Sequence, residues 1–363
     1  MTDVPKTAQS SHVSTDRPPA PAVRVAEPGS ESDDPFVPQS DPTDDRRTRV
    51  LFIGGEGRSG STVLERLLAV HSDTCAVGEL KNLFEMGIAG NELCGCGKLV
   101  LECDLWSEVG RRLVGGWDTS AGREMVKFFA RINHRLYLPA ITIGRGPTIA
   151  RARSILAELY RSIADVSGSP VIIDSSKHPS WAYLLAGVPT IDLRIVQLVR
   201  HPSGVAYSWS KPVARPHATA GKGDLIMPAH SPVEVSIRWD VFNALLRRLA
   251  KRTLPTILLR YEDYVADLDG ALDACLELVD LTYVERPDTM DTGHGIAGNP
   301  SRFAVDSQKI VEDNRWITEY SPWKHALVSA ITWPARPTYG YRYSRSNPVR
   351  PLPGRSVGRS ASR

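Results

Sequence analysis

The sequence predicts a three-layer α/β fold, with a mainly parallel central sheet flanked by helices. Short apolar runs, helical patterns between them too long for hairpins, and the lack of any fixed-period repeat carry that reading. The runs are residues 49–54 (RVLFIG), 170–174 (PVIID), 193–199 (LRIVQLV) and 256–260 (TILLR), each read as a buried strand. Val63, Leu64, Leu67 and Leu68 share one helical face, and 113–137 and 155–166 also carry helical patterns. Residues 235–252 read as a longer helix, apolar along Ile237, Val241, Leu245 and Leu249 with basic residues opposite. Sheets of this kind bind ligands at the carboxyl ends of their strands, so the residues following each run are the ones to inspect.

Composition narrows the function. Lysine and arginine total 44 against 41 aspartates and glutamates, too even a balance for nucleic acid as the principal partner. The first residues lack the apolar core of a leader, and no stretch is long and apolar enough to span a bilayer, so a soluble, cytoplasmic protein is expected. Residues 1–46 are rich in Pro, Ser, Thr and Asp, and 344–363 in Arg, Ser and Pro; both are expected to be disordered tails around a folded domain at 47–343. The five cysteines do not form a disulfide-scaffold pattern. Cys94, Cys96 and Cys103 leave three readings open: a disulfide, three metal ligands, or free thiols.

After the first run comes Gly54-Gly55-Glu56-Gly57-Arg58-Ser59-Gly60-Ser61-Thr62 and then a helix. Backbone amides in such a loop converge on an anion at the positive end of the helix, which makes the fold P-loop-like. The spacing nearly fits a nucleoside triphosphate loop, but Ser61 stands where the lysine would be. That substitution argues against triphosphate hydrolysis, and Arg58 would supply the positive charge. A second motif, Leu198-Val199-Arg200-His201-Pro202-Ser203-Gly204-Val205-Ala206-Tyr207-Ser208-Trp209, ends a strand on Arg200 and places Ser208 on the next helix. A guanidinium and a hydroxyl so placed can hold one phosphate between them.

Together the two motifs resemble the sulfotransferases that use 3′-phosphoadenosine 5′-phosphosulfate (PAPS), over about residues 48 to 320. The resemblance implies that Gly57, Arg58, Ser59, Gly60, Ser61 and Thr62 hold the 5′-phosphosulfate, and Arg200 and Ser208 the 3′-phosphate. Tyr261 resembles the family's Tyr-Glu element, and Asn299 and Arg302 fall in a segment, 294–303, similar to its late nucleotide-covering loop. Transfer of an activated sulfuryl group calls for a base and for cations on the departing phosphate, and requires no metal. Glu79 is the expected base; some bacterial members and the tyrosine-sulfating branch carry a Gly-Glu at a similar point. Lys177 resembles the lysine that neutralises the bridging oxygen, with Arg58 assisting, although His178 replaces that branch's aspartate and is a second, weaker base candidate. Asp174 is expected to cap the next helix.

A P-loop kinase-like phosphotransferase, an inactive nucleotide-binding scaffold and an interaction protein with a basic tail remain alternatives. The acceptor, a small molecule, lipid or glycan, is expected in a cleft walled by 104–165 and 210–245, with Trp117, Phe128, Phe129, Tyr137, Trp209 and Trp239 as aromatic candidates. Oligomeric state is not legible in the sequence.

Overall fold

Alternation along β1 (Thr48–Gly54) sets the two faces of the sheet: Val50 and Phe52 join one core cluster, Leu51 and Ile53 the other. The computed structural model describes residues 47–134, 137–215, 226–252, 254–282, 293–303 and 310–342, all within one unit, Pro35–Arg363. Both expected tails lie outside the described residues. The further strands are β2 (Thr74–Gly78), β3 (Val171–Lys177), β4 (Ile191–Val199), β5 (Val213–Ala214), β6 (Ile226–Met227) and β7 (Thr256–Arg260). Five of them form a parallel sheet in the order β2-β3-β1-β4-β7, and β5 and β6 form a separate antiparallel pair. The predicted fold class is the observed one.

The helices, in chain order, are α1 (Ser61–Leu68), α2 (Asp104–Val114), α3 (Ser120–Ile132), α4 (Leu138–Ile143), α5 (Pro147–Ser167), α6 (Pro179–Leu185), α7 (Pro202–Trp209), α8 (Pro232–Ala250), α9 (Tyr261–Ala266), α10 (Leu268–Glu277), α11 (Arg315–Glu319) and α12 (Pro322–Ile331). Residues of α2 to α6, with Leu246 and Leu249 of α8, cover the Val50 face; α1, α9 and α10 cover the Leu51 face. A third cluster, built on Trp239, Trp316, Tyr320 and Tyr341, packs α7, α8, α11 and α12 together beside the end of β4.

Three elements differ from expectation. Strand β2 was not foreseen: its five residues are all buried at a sheet edge, but TCAVG is too short to stand out by periodicity. The helix expected over 113–137 is broken, because Gly115 (φ 70°) ends α2 and the Thr119 hydroxyl caps α3 by accepting from the Gly122 N–H at 3.0 Å. Helix α8 turns a different face inward. Ile237 and Val241 are 52% and 40% exposed, while Val235, Trp239, Asn243, Leu246 and Leu249 are buried. Hydrogen bonds decide this: the Trp239 indole donates to the Arg200 carbonyl at 3.0 Å, and Gln197 donates to the Asn243 side chain at 3.3 Å. A count of aliphatic positions misses a face chosen by polar partners.

Candidate active site

Every strand of the large sheet delivers a candidate residue at its carboxyl end. In spatial order, β2 runs into Glu79, β3 ends on Lys177, β1 opens into the 54–60 loop, β4 runs into Arg200 and β7 into Tyr261. A cavity of about 440 Å³ lies over these ends, and all the predicted site residues except Ser59 and Arg302 line it.

The loop is shaped by glycine where the chain turns back on itself. Gly60 sits at φ 90°, and a Cβ there would strike the Tyr264 hydroxyl and the Tyr261 ring. Helix α1 therefore starts with no side-chain cap and no acid in its first turn, leaving its leading N–H groups facing the cavity side where Ser61 and Thr62 sit. The Arg58 guanidinium lies 4.7 Å from the Trp209 ring centre and 3.5 Å from the Met227 sulfur. Burial lowers its pKa, and the Glu79 charge opposes that shift. The Ser59 hydroxyl and the Nε atoms of Arg58 and Arg200 are buried without a hydrogen-bond partner. Unpaired donors of this kind, gathered beside orphaned helix amides, fit a ligand rich in anionic oxygens.

On the β4 side, Arg200 is 4% exposed and already engaged. It donates to the carbonyls of Arg58 (3.0 Å) and Asp313 (2.7 Å), stands 3.5 Å from the Asp313 carboxylate, and lies 4.3 Å from the Tyr261 ring centre. Tyr261 is fixed in turn by accepting from the Asp313 N–H at 3.0 Å. Glu262 holds the turn behind them, accepting from the His201 N–H at 2.9 Å and the Tyr341 hydroxyl at 2.7 Å.

On the β3 side, the Lys177 ammonium donates to Glu79 Oε1, and Asn82 donates to Oε2 at 2.9 Å. Lys177 adopts φ 64° and Arg58 φ 66°, left-handed backbone that costs a non-glycine residue on the order of a kilocalorie or more. Behind the pair lies Glu65, fully buried on α1, accepting from the Gly78 N–H at 2.6 Å and from the Ser175 hydroxyl. Burial pushes its pKa up to about 7, against the lowering effect of those hydrogen bonds.

The segment 293–303 extends the edge of β2. Ile296 donates to the Val77 carbonyl at 2.9 Å, and the Glu79 N–H donates to the Ile296 carbonyl at 2.8 Å. Asn299 reaches the cavity from here. Arg302 does not, correcting its assignment as a ligand contact: its guanidinium donates to the carbonyls of Gly295 (3.0 Å), Leu93 (2.7 Å) and Ala297. Those inward-turned carbonyls need donors, and Arg302 holds the segment's shape.

Other expectations are corrected too. His178 is the N-cap of α6, accepting from the Ser180 N–H at 3.4 Å, and burial pushes its pKa down to about 3; it does not line the cavity. Asp174 does not cap that helix. It accepts from the Ser176 N–H at 2.7 Å and the Trp181 indole at 3.1 Å, and bonds the Tyr160 hydroxyl. Of the aromatic residues expected in the acceptor cleft, only Trp209 lines the cavity; Trp117, Phe129 and Trp239 are core, and Phe128 and Tyr137 pack against it. Arg66, Met227, Tyr264 and Asp313 line the cavity without having been singled out. Arg66 and Glu65 had one signal available, two charges inside an otherwise apolar helix directly after the loop.

No family model and no curated protein matches this sequence. Among solved structures, the sulfotransferase domain of the Synechococcus PCC 7002 olefin synthase is similar at 18% identity and TM-score 0.49, over 84% of this chain and 98% of that one. The sulfotransferase domain from the curacin biosynthetic pathway is similar at 17% identity and TM-score 0.44, over 78% and 97%. A sulfotransferase from Alicyclobacillus acidocaldarius is similar at 13% identity and TM-score 0.34, over 79% and 95%.

Proposed function

We propose that this protein is a sulfotransferase that moves a sulfuryl group from PAPS to a hydroxyl or amine of a small-molecule, lipid or glycan acceptor. The observation that supports this most is the meeting, in one cavity, of the lysine-free phosphate loop, the Arg200–Ser208 pair and the Glu79–Lys177 pair. PAPS supplies a sulfuryl group that is already activated, so the protein has to position, deprotonate and neutralise. The loop amides, Ser61, Thr62 and Arg58 would hold the 5′-phosphosulfate. Arg200 would exchange the two carbonyls it now touches for the 3′-phosphate, with Ser208 completing the contact. Lys177 would neutralise the oxygen left on the departing phosphate, while Glu79 takes the proton from the acceptor. The resting ion pair keeps both side chains in place until substrates separate them.

Calorimetric titration with 3′-phosphoadenosine 5′-phosphate, with magnesium ATP as the competing ligand, tests the reading. The expected result is micromolar binding of the bisphosphate, none of ATP, and a loss of about 2 kcal/mol or more, roughly 30-fold, in Arg200→Ala. Binding of magnesium ATP without binding of the bisphosphate would overturn it in favour of a kinase.

A further inference from the structure

Apart from the cavity, one cluster gathers chemistry that the transfer reaction does not use. Cys94, Cys96, Cys103 and His294 each offer one ligand atom, and all four atoms lie within 4.8 Å of one another. They come from three places in the chain. Cys94 and Cys96 sit in a tight turn between the bridged residues Leu93 and Leu99, closed by the Gly97 N–H donating to the Cys94 carbonyl at 2.9 Å. Cys103 is the N-cap of α2, and His294 opens the segment that carries Asn299.

The spacing is that of a tetrahedral metal site. Zinc bonds sulfur at about 2.3 Å and nitrogen at about 2.0–2.1 Å, which sets ligand-to-ligand edges of roughly 3.8 Å between sulfurs and 3.6 Å from sulfur to nitrogen. Here Cys96 Sγ is 3.7 Å from Cys103 Sγ, and His294 Nδ1 is 3.2 Å from Cys103 Sγ and 3.9 Å from Cys94 Sγ. None of the three thiols is in a disulfide. We propose that Cys94, Cys96, Cys103 and His294 bind one structural zinc ion, in a closed three-sulfur, one-nitrogen site. Binding converts three thiols to thiolates with release of their protons, leaving the site with one net negative charge. Arg302 stands beside it to balance that charge, donating to the Leu93 carbonyl next to Cys94 at 2.7 Å. Cys103 also has the positive end of α2 at its sulfur. The indole of Trp106 donates to the His294 carbonyl at 3.0 Å and the Gly95 N–H to the Gly295 carbonyl at 3.0 Å, so the backbone around the ligands is already aligned.

The zinc would act as a clasp. It ties the 93–99 turn and the start of α2 to the 293–303 segment, whose Gly298 lies against Glu79: a Cβ at Gly298 would be 3.2 Å from Glu79 Oε1. The site is therefore structural for the rim of the cavity, and its assignment does not depend on which group the enzyme transfers.

The full chain, purified under reducing conditions without a metal-affinity tag, is assayed for zinc by plasma mass spectrometry and for cobalt absorption after exchange. The expected results are about one zinc per chain and a cobalt spectrum with thiolate charge-transfer and tetrahedral d–d bands. Cys96→Ser, chosen because Cys96 is exposed and its loss leaves the core intact, should lower zinc retention at least tenfold against a competing chelator. A wild-type chain without zinc and without a thiolate-cobalt band would overturn the proposal, and so would a Cys96–Cys103 disulfide in the reduced preparation. Neither readout requires Cys94 or Cys103 variants to fold.

Discussion

On the β4–β7 side of the rim, Arg200 spends its guanidinium chiefly on two main-chain carbonyls and lies over the Tyr261 ring; on the β2–β3 side, Lys177 is held by the carboxylate of Glu79. The first arrangement suits an anion, because the two carbonyls are neutral acceptors that yield readily to a phosphate, leaving the Asp313 carboxylate at 3.5 Å as the one charged partner to displace. The second is self-neutralised, and on the proposed function its charges become available only when donor and acceptor draw them apart. On the proposed function, binding and chemistry fall to different strand ends, and variants on the two sides should fail in different ways.

The sharpest break in that contrast is Glu79→Gln. It should lower turnover by roughly 10²–10⁴-fold, the usual range for a lost general base, while leaving bisphosphate affinity within a few-fold of wild type by calorimetry. An equal loss in both would place Glu79 on the binding side. Arg200→Ala should show the converse, the roughly 30-fold loss in affinity given above.

Glu65 sharpens the picture from behind. Burial holds its carboxyl at about 7, above the ordinary carboxylate value of 4.5, so the native state holds a proton there that the unfolded chain releases. The associated stability is fully present below about pH 4.5 and is lost as pH rises through about 7. Asp174, which burial pushes up to about 6, contributes with the same sign. His178 and His201, which burial pushes down to about 3, contribute with the opposite sign, so the Glu65 effect is read as a difference: the thermal midpoint of Glu65→Gln should rise relative to wild type as pH goes from 5 to 8, and a constant difference would mean Glu65 is ionised throughout. The smallest effect is expected at Ser208→Ala, one hydroxyl on one phosphate, which should weaken bisphosphate binding by about 1 kcal/mol, roughly five-fold.

The parts of the site legible in the sequence were those in which local order carries the chemistry. A strand, a glycine-bearing loop and a helix in succession pointed to Gly57, Arg58, Gly60, Ser61 and Thr62, which line the cavity, and an arginine ending a strand with a serine on the next helix pointed to Arg200 and Ser208, which line it as well. The Glu79–Lys177 contact joins residues 98 positions apart, and only β2, which the sequence did not reveal, brings them together. The cysteine cluster shows the same limit: Cys94, Cys96 and Cys103 were visible as a group, but the fourth ligand, His294, lies 191 residues beyond Cys103 and was read only as part of a nucleotide loop. Aromatic residues misled for the opposite reason. Trp117, Phe129 and Trp239 are large enough to serve either a cleft or a core, and burial assigned them to the core.

The class of group transferred is tested most directly by isotope. The protein is incubated in parallel with sulfur-35 PAPS and with γ-phosphorus-32 ATP and magnesium, each with the same extract of small-molecule, lipid and glycan acceptors. Sulfur-35 should appear in an acceptor product, depend on Glu79 and Lys177, and have no phosphorus-32 counterpart; phosphorus-32 product with no sulfur-35 product would contradict the account.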